Sequence, residues 1–136
     1  MLVELPLAEV IDKITILEIK QARIKDPARL TNVHAELAAL RGAWAQAGHP
    51  YLHELHEAGE LAEVNGQLWD VEDALRELEA AADFGPGFVQ LARSVYHLND
   101  RRAALKKALN LRLGSRLVEE KSYADYGGHG GGARGG

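Results

Sequence analysis

Four side chains in one stretch of the sequence are of types that hold small anions. Asn99, Lys106 and Asn110 stand at i, i+7 and i+11, with Ala103 at i+4, so on a helix they lie one above another. Arg102 falls beside that strip, among Leu91, Val95, Leu98, Leu105, Leu109 and Leu113, on the face expected to pack. Amides and cations fix phosphate or carboxylate oxygens without any proton transfer. The same residues also suit a purely structural network. A buried arginine needs a carboxylate, and helix phase makes Glu18 and Glu72 the best-placed partners for Arg102. The sequence leaves both readings open.

Other chemistry has less support. His49, His53 and Glu57 are spaced i, i+4 and i+8, and two ligands one helical turn apart can bind zinc. The string is HELHE, however, without the H-E-x-x-H order of a metalloprotease, and its surroundings are acidic and polar. A solvated face is expected, with no metal. Glu57, Glu60 and Glu63, followed by Asp70, Glu72 and Asp73, resemble the first acidic pair of the all-α nucleotide pyrophosphohydrolases. Those enzymes hold magnesium between two such pairs, and no E-x-x-D follows here at suitable distance. No nucleophile–base pair held by a third group is apparent, so covalent catalysis has no support. The sequence identifies no cofactor.

These side chains require helices to position them. Leu7, Val10, Ile11, Ile14 and Leu17 predict a first helix over residues 7–25. Ile16 and Ile19 lie off that stripe, so this helix should be central, packed by two neighbours. Asp26 and Pro27 suit the cap and first position of a second helix, which Gly48 and Pro50 end. Leu30, Val33, Leu37, Leu40, Trp44 and Ala47 form its stripe, and the short connection implies an antiparallel hairpin. A third helical stretch spans 51–82, with Leu52 and Leu55 out of phase and a break expected near Gly59. The FGPG turn at 84–87 precedes a fourth helix over about 87–113. Gly114 ends it, and Ser115 can cap a short final helix.

Composition narrows the class. The 136 residues form one domain and contain no cysteine, which removes disulfides and thiolate sites. The net charge of −4 argues against nucleic-acid binding. Its distribution is uneven: residues 50–85 hold ten carboxylates and one cation, whereas 86–116 hold seven cations and one carboxylate. Neighbouring helices of opposite sign should neutralise each other. No apolar run is long enough to span a bilayer, and no signal-peptide pattern opens the chain, so a cytoplasmic location is expected.

The segments IDKITILEIK (11–20), RIKDP (23–27), LWDVED (68–73), LARSVYHLND (91–100) and EEKSYADY (119–126) resemble a family of short bacterial proteins, the domain of unknown function 6165 family. The resemblance spans nearly all of residues 3–126. It includes Asn110 and the Gly114-Ser115 pair, but neither the histidine cluster nor the glycine tail. It implies a cytoplasmic helical protein and supplies no activity. It also draws attention to Glu120, Lys121 and Tyr123, which would complete a polar site if that segment folded back on Asn99, Lys106 and Asn110.

The expectation is an all-α, antiparallel bundle of four main helices with a short C-terminal helix. Residues 1–126 form the domain, and 127–136 a disordered glycine-rich tail. Functionally, it reads as a binding or interaction module. Its partner would be a protein or a small anionic ligand, and self-association through the apolar first helix is a further option. The alternative is an enzyme or sensor acting on a small phosphorylated or carboxylate compound. Ligand-binding candidates are Asn99, Arg102, Lys106, Asn110, Ser115, Glu120, Lys121 and Tyr123.

Overall fold

The computed structural model describes residues 5–114. They form four α-helices and one short 3-10 turn: α1 (Leu7–Arg23), α2 (Pro27–Gln46), the 3-10 turn (Leu52–Glu54), α3 (His56–Ala80) and α4 (Pro86–Leu113). There are no strands among the described residues. The expected final helix, its Ser115 cap and the glycine tail lie outside them.

Helix α1 is the hub and packs against α2, α3 and α4, one neighbour more than its sequence suggests. Its surplus of apolar residues explains this, because Ala8, Ile11, Ile14 and Leu17 are all buried while Ile16 and Ile19 are half-buried. One core cluster joins Ala8 and Ile11 to Leu61, Val64, Leu105 and Leu109, with Trp44 and Leu55 at its edge. The other joins Ile14 and Leu17 to Val33 and Leu37 of α2. Most of the apolar surface of α1 is thus covered by the other helices, with Leu7, Val10, Ile16 and Ile19 half-buried. Ala8 meets Asn110 and Asp12 meets Arg102, so α1 runs antiparallel to α4.

The hairpin between α1 and α2 forms where Asp26 and Pro27 place it. Asp26 Oδ1 accepts the amide of Ala28 at 3.2 Å, and Pro27 occupies the first helical turn. At the other end Gly48 takes a left-handed conformation (φ 79°) and Trp44 Nε1 donates to the Pro50 carbonyl at 2.7 Å. This indole bond ties down the segment that leads to α3.

The break in the third helical stretch falls at Leu55, not at Gly59. Leu55 is extended (φ −103°, ψ 107°) and buried, and the 3-10 turn precedes it. Leu52 and Leu55 are out of helical phase with Leu61, Val64 and Leu68. Interrupting the helix lets both runs face the core. Gly59 continues α3, which has no need of a special backbone there.

The two longest helices outrun the rest. At 25 and 28 residues, α3 and α4 extend for about 37 and 42 Å, against about 25 Å for the 17 residues of α1. No residue of α3 after Leu68 is buried, and none of α4 before Leu105. Val71, Leu75 and Leu78 meet an α4 stripe of Leu91, Val95 and Leu98 that is only half-buried, where a buried one was expected. Two helices alone cannot close over a stripe, so this half of the hairpin is an arm beyond the core. Its turn is built by Ala82 in the left-handed region (φ 54°), with the Asp83 amide bonded to the Leu78 carbonyl at 2.8 Å. Phe84 and Phe88 close it edge to face, centroids 5.2 Å apart.

Candidate functional site

The polar seam exists, and it is organised by α1. Asp12, on the inner face of α1, is only 4% exposed. Arg102 of α4 donates to it twice, from Nε to Oδ1 at 3.1 Å and from Nη2 to Oδ2. Asn65 of α3 donates to the same Oδ1 at 2.9 Å and to Thr15 Oγ1 at 2.9 Å. The Thr15 hydroxyl in turn donates to the backbone carbonyl of Asp12 at 2.8 Å. One carboxylate therefore links three helices.

Burial alone would push the Asp12 carboxyl upward. The hydrogen bonds from Arg102 and Asn65, with the charges of Arg102 and Lys106, outweigh it and hold the pKa below the ordinary aspartate value. Asp12 is ionised at neutral pH and forms a bidentate pair with its arginine.

The expected carboxylate partners of Arg102 need correction. Among the described residues Asp12 takes it, while Glu18 is bound by Arg41 Nη2 at 2.6 Å. Glu72 is exposed on the arm. The reason is depth: Asp12 lies one turn from Ala8 and Thr15 on the buried face, whereas Glu18 lies at the rim. Lys106 is also taken by α1, its Nζ 2.8 Å from Glu9 Oε2, and its side chain is 11% exposed.

Asn110 is 1% exposed and has a backbone role. Its Oδ1 accepts the Ala8 amide at 2.9 Å. Helix α1 begins after Pro6, which offers no side-chain cap, so the cap is supplied from α4. Asn110 Nδ2 is buried without a hydrogen-bond partner among the described residues. Near it, Arg112 grips Glu57, Nε lying 2.8 Å from Oε1 and Nη2 donating to Oε2 at 2.9 Å. That arginine hydrogen bond, with the backbone at the start of α3, lowers the Glu57 pKa.

Of the expected ligand-binding residues, Arg102, Lys106 and Asn110 all meet α1, through Asp12, Glu9 and the Ala8 amide respectively. Asn99 is exposed, a turn beyond them. Ser115, Glu120, Lys121 and Tyr123 lie outside the described residues. The seam also holds Glu9, Asp12, Thr15 and Asn65, which sequence reasoning missed. Asn65 was visible as a polar residue inside the run Leu61, Val64, Leu68, and Asp12 as one between Ala8 and Thr15.

The histidine cluster does not have the geometry its spacing suggests. Residues 49–55 are not α-helical, so i and i+4 do not share a face. His49 packs on Trp44, ring centroids 4.5 Å apart, and His53 stacks on Tyr51 at 5.5 Å. Among the described residues no three His, Asp or Glu side chains gather as a metal ion would require.

Residues 1–127 match the Family of unknown function (DUF6165). The chain belongs to this family. The match takes in all four helices and every residue of the seam, so the α1–α3–α4 junction lies wholly within the family's extent. No curated protein and no solved structure matches the chain. Among the described residues no helix is long and apolar enough to cross a membrane.

Proposed function

We propose that this chain is a non-catalytic, cytoplasmic binding or interaction module whose polar seam is a structural lock. The observation that carries this reading is the internal neutralisation of the seam. Its two cations, Arg102 and Lys106, are each held by a carboxylate of α1, Asp12 and Glu9. An anion arriving at either would first have to displace a paired carboxylate. Such a network fixes which helix faces meet, and removing one partner leaves a buried charge unmatched. Enzyme action on a small anionic compound at the seam is the weaker reading, since among the described residues its carboxylates Asp12 and Glu9 are both engaged by cations and no imidazole joins them. The absence of cysteine agrees with a reducing compartment.

Lys106→Ala tests the reading. As part of a lock, Lys106 should cost about 1–3 kcal/mol of stability when truncated, read by thermal or urea unfolding. The double variant Lys106→Met with Glu9→Gln should recover much of that loss, because neither charge is then stranded. A Lys106→Ala protein of full stability that loses its thermal response to nucleotides, sugar phosphates or dicarboxylates would overturn the lock. It would make the seam an anion site.

A further inference from the structure

A concave site away from the seam lies between α1, α2 and the segment that follows α2. Ile14 and Glu18 of α1 and Arg41, Trp44 and Ala45 of α2 wall it, and residues 48–54 roof it. The cleft there has a volume of about 700 Å³, the size of cavities that take small molecules. A smaller cleft of about 320 Å³ continues it past Glu18, Leu52 and His53 towards α3.

We infer that this cleft binds a small planar aromatic anion, with the ring stacked on Tyr51 and the anionic group held by Arg41. Three observations carry the assignment. The first is a rigid aromatic lip. Tyr51 is 70% exposed, yet its segment is pinned on one side by the Trp44–Pro50 bond and on the other by buried Leu55. Its ring is stacked on His53 with the planes 22° apart. An exposed ring on a pinned segment beside a cleft offers a stacking surface at reduced entropic cost.

The second observation is the apolar wall behind the lip. Ile14 and Trp44 line the cleft, and Trp44 is fixed both by its indole hydrogen bond and by its contact with His49. The third is Arg41, whose side chain is 53% exposed at the same cleft. Among the described residues Glu18 engages only its Nη2, whereas Asp12 takes both Nε and Nη2 of Arg102, so Arg41 can donate from Nε and Nη1 to an oxyanion without displacing its carboxylate. Glu18 holds the fork in place and adds an acceptor for ring N–H groups. Stacking of a heteroaromatic ring on tyrosine, together with an arginine–oxyanion contact, is a sufficient recognition set.

This inference rests on the reading of the chain as a binding module, and it can fail separately from the structural lock. AMP, adenosine and inorganic phosphate are the probes, titrated against the full chain carrying Trp69→Phe. Trp44 is then the sole tryptophan and reports the cleft directly. AMP should quench it saturably with a sub-millimolar dissociation constant. Adenosine should bind at least several-fold more weakly, and phosphate alone should cause no saturable quench. Arg41→Gln should bring AMP down to the affinity of adenosine, and Tyr51→Ala should weaken both by tenfold or more. Arg76→Gln, on the exposed face of α3, should change neither. Both cleft variants alter exposed side chains, and unchanged melting temperatures would show that they fold. Absence of saturable quenching at millimolar AMP overturns the assignment, as does AMP affinity that survives both Arg41→Gln and Tyr51→Ala. If AMP binds but is lost in a stable Lys106→Ala protein instead, the seam is the site, and both the cleft and the lock are wrong.

Discussion

Asp12 shows how one side chain can determine a fold's interior and still be hard to recognise in a sequence. It accepts from Arg102 and Asn65 in a setting where burial opposes its charge, and the partners prevail. Asp12→Asn should therefore lower stability at neutral pH by about 2 kcal/mol, less than the roughly 3–5 kcal/mol of a fully buried pair because Arg102 stays partly in water. The sign of its pH dependence follows from the lowered folded pKa. The contribution is complete above the unfolded value of roughly 4 and disappears as pH falls through the lower folded value. Urea unfolding of both proteins should show the gap between them constant near neutrality and closing on the acid side. A gap that widened in acid would mean the carboxyl is protonated in the native state. The sequence exposed Arg102 as the anomaly, because a cation on an apolar stripe demands an explanation. It did not single out Asp12, because a carboxylate next to Ile11 and Lys13 also fits a helix edge. Choosing among Asp12, Glu18 and Glu72 depends on how deeply each is set, and depth comes from crossing geometry that helix phase does not encode.

At the scale of the element, helix ends were legible where a residue type compels them. Asp26, Pro27, Gly48 and Gly114 each stand where the structure uses them, two as N-terminal signals and two as left-handed stops. The misplaced break illustrates the opposite case. Gly59 suggests a break by type, but the change of phase between Leu55 and Leu61 decides, and the chain breaks at Leu55. Gly59 is then an ordinary helical residue with nothing within 4 Å of an added Cβ. Gly59→Ala should raise stability by about 0.5–1 kcal/mol through the lost freedom of the unfolded chain. Should the variant be destabilised instead, the early turn of α3 must use conformations closed to alanine. The end of α3 makes the converse point. Ala82 holds a left-handed conformation that ordinarily belongs to glycine, and the glycines of FGPG come only after it. Ala82→Gly should relieve that strain and stabilise by about 0.5–1 kcal/mol, a small net gain because glycine is also freer when unfolded. A measured loss would show that the strain is absent.

The whole molecule is asymmetric in a way the repeating stripes conceal. In sequence, Leu61 to Leu78 keep one uninterrupted pattern, and Leu91 to Leu113 are interrupted only by Arg102, which falls where burial changes between Leu98 and Leu105. That limit is set by the length of α1, which covers α3 and α4 only as far as the Arg23–Asp70 ion pair near its last turn. Inside this limit lie Leu61, Val64, Leu105 and Leu109, the seam, and the capping of α1 by Asn110. Beyond it, the two helices hold each other through side chains that are at most half-buried, Val71, Leu75, Leu78, Leu91, Val95 and Leu98 among them. Local opening is resisted by the apolar area it exposes, so the arm should open well below the energy of global unfolding. Native-state hydrogen exchange resolves this by residue. Amides of residues 74–95 should exchange through a sub-global opening, insensitive to Asp12→Asn, while those of α1 and of Leu105–Leu109 should require global unfolding and speed up in that variant. Equal protection along α3 and α4 would instead mean that the hairpin unfolds as one unit with the core, with the lock at α1 felt as far as the turn at Ala82.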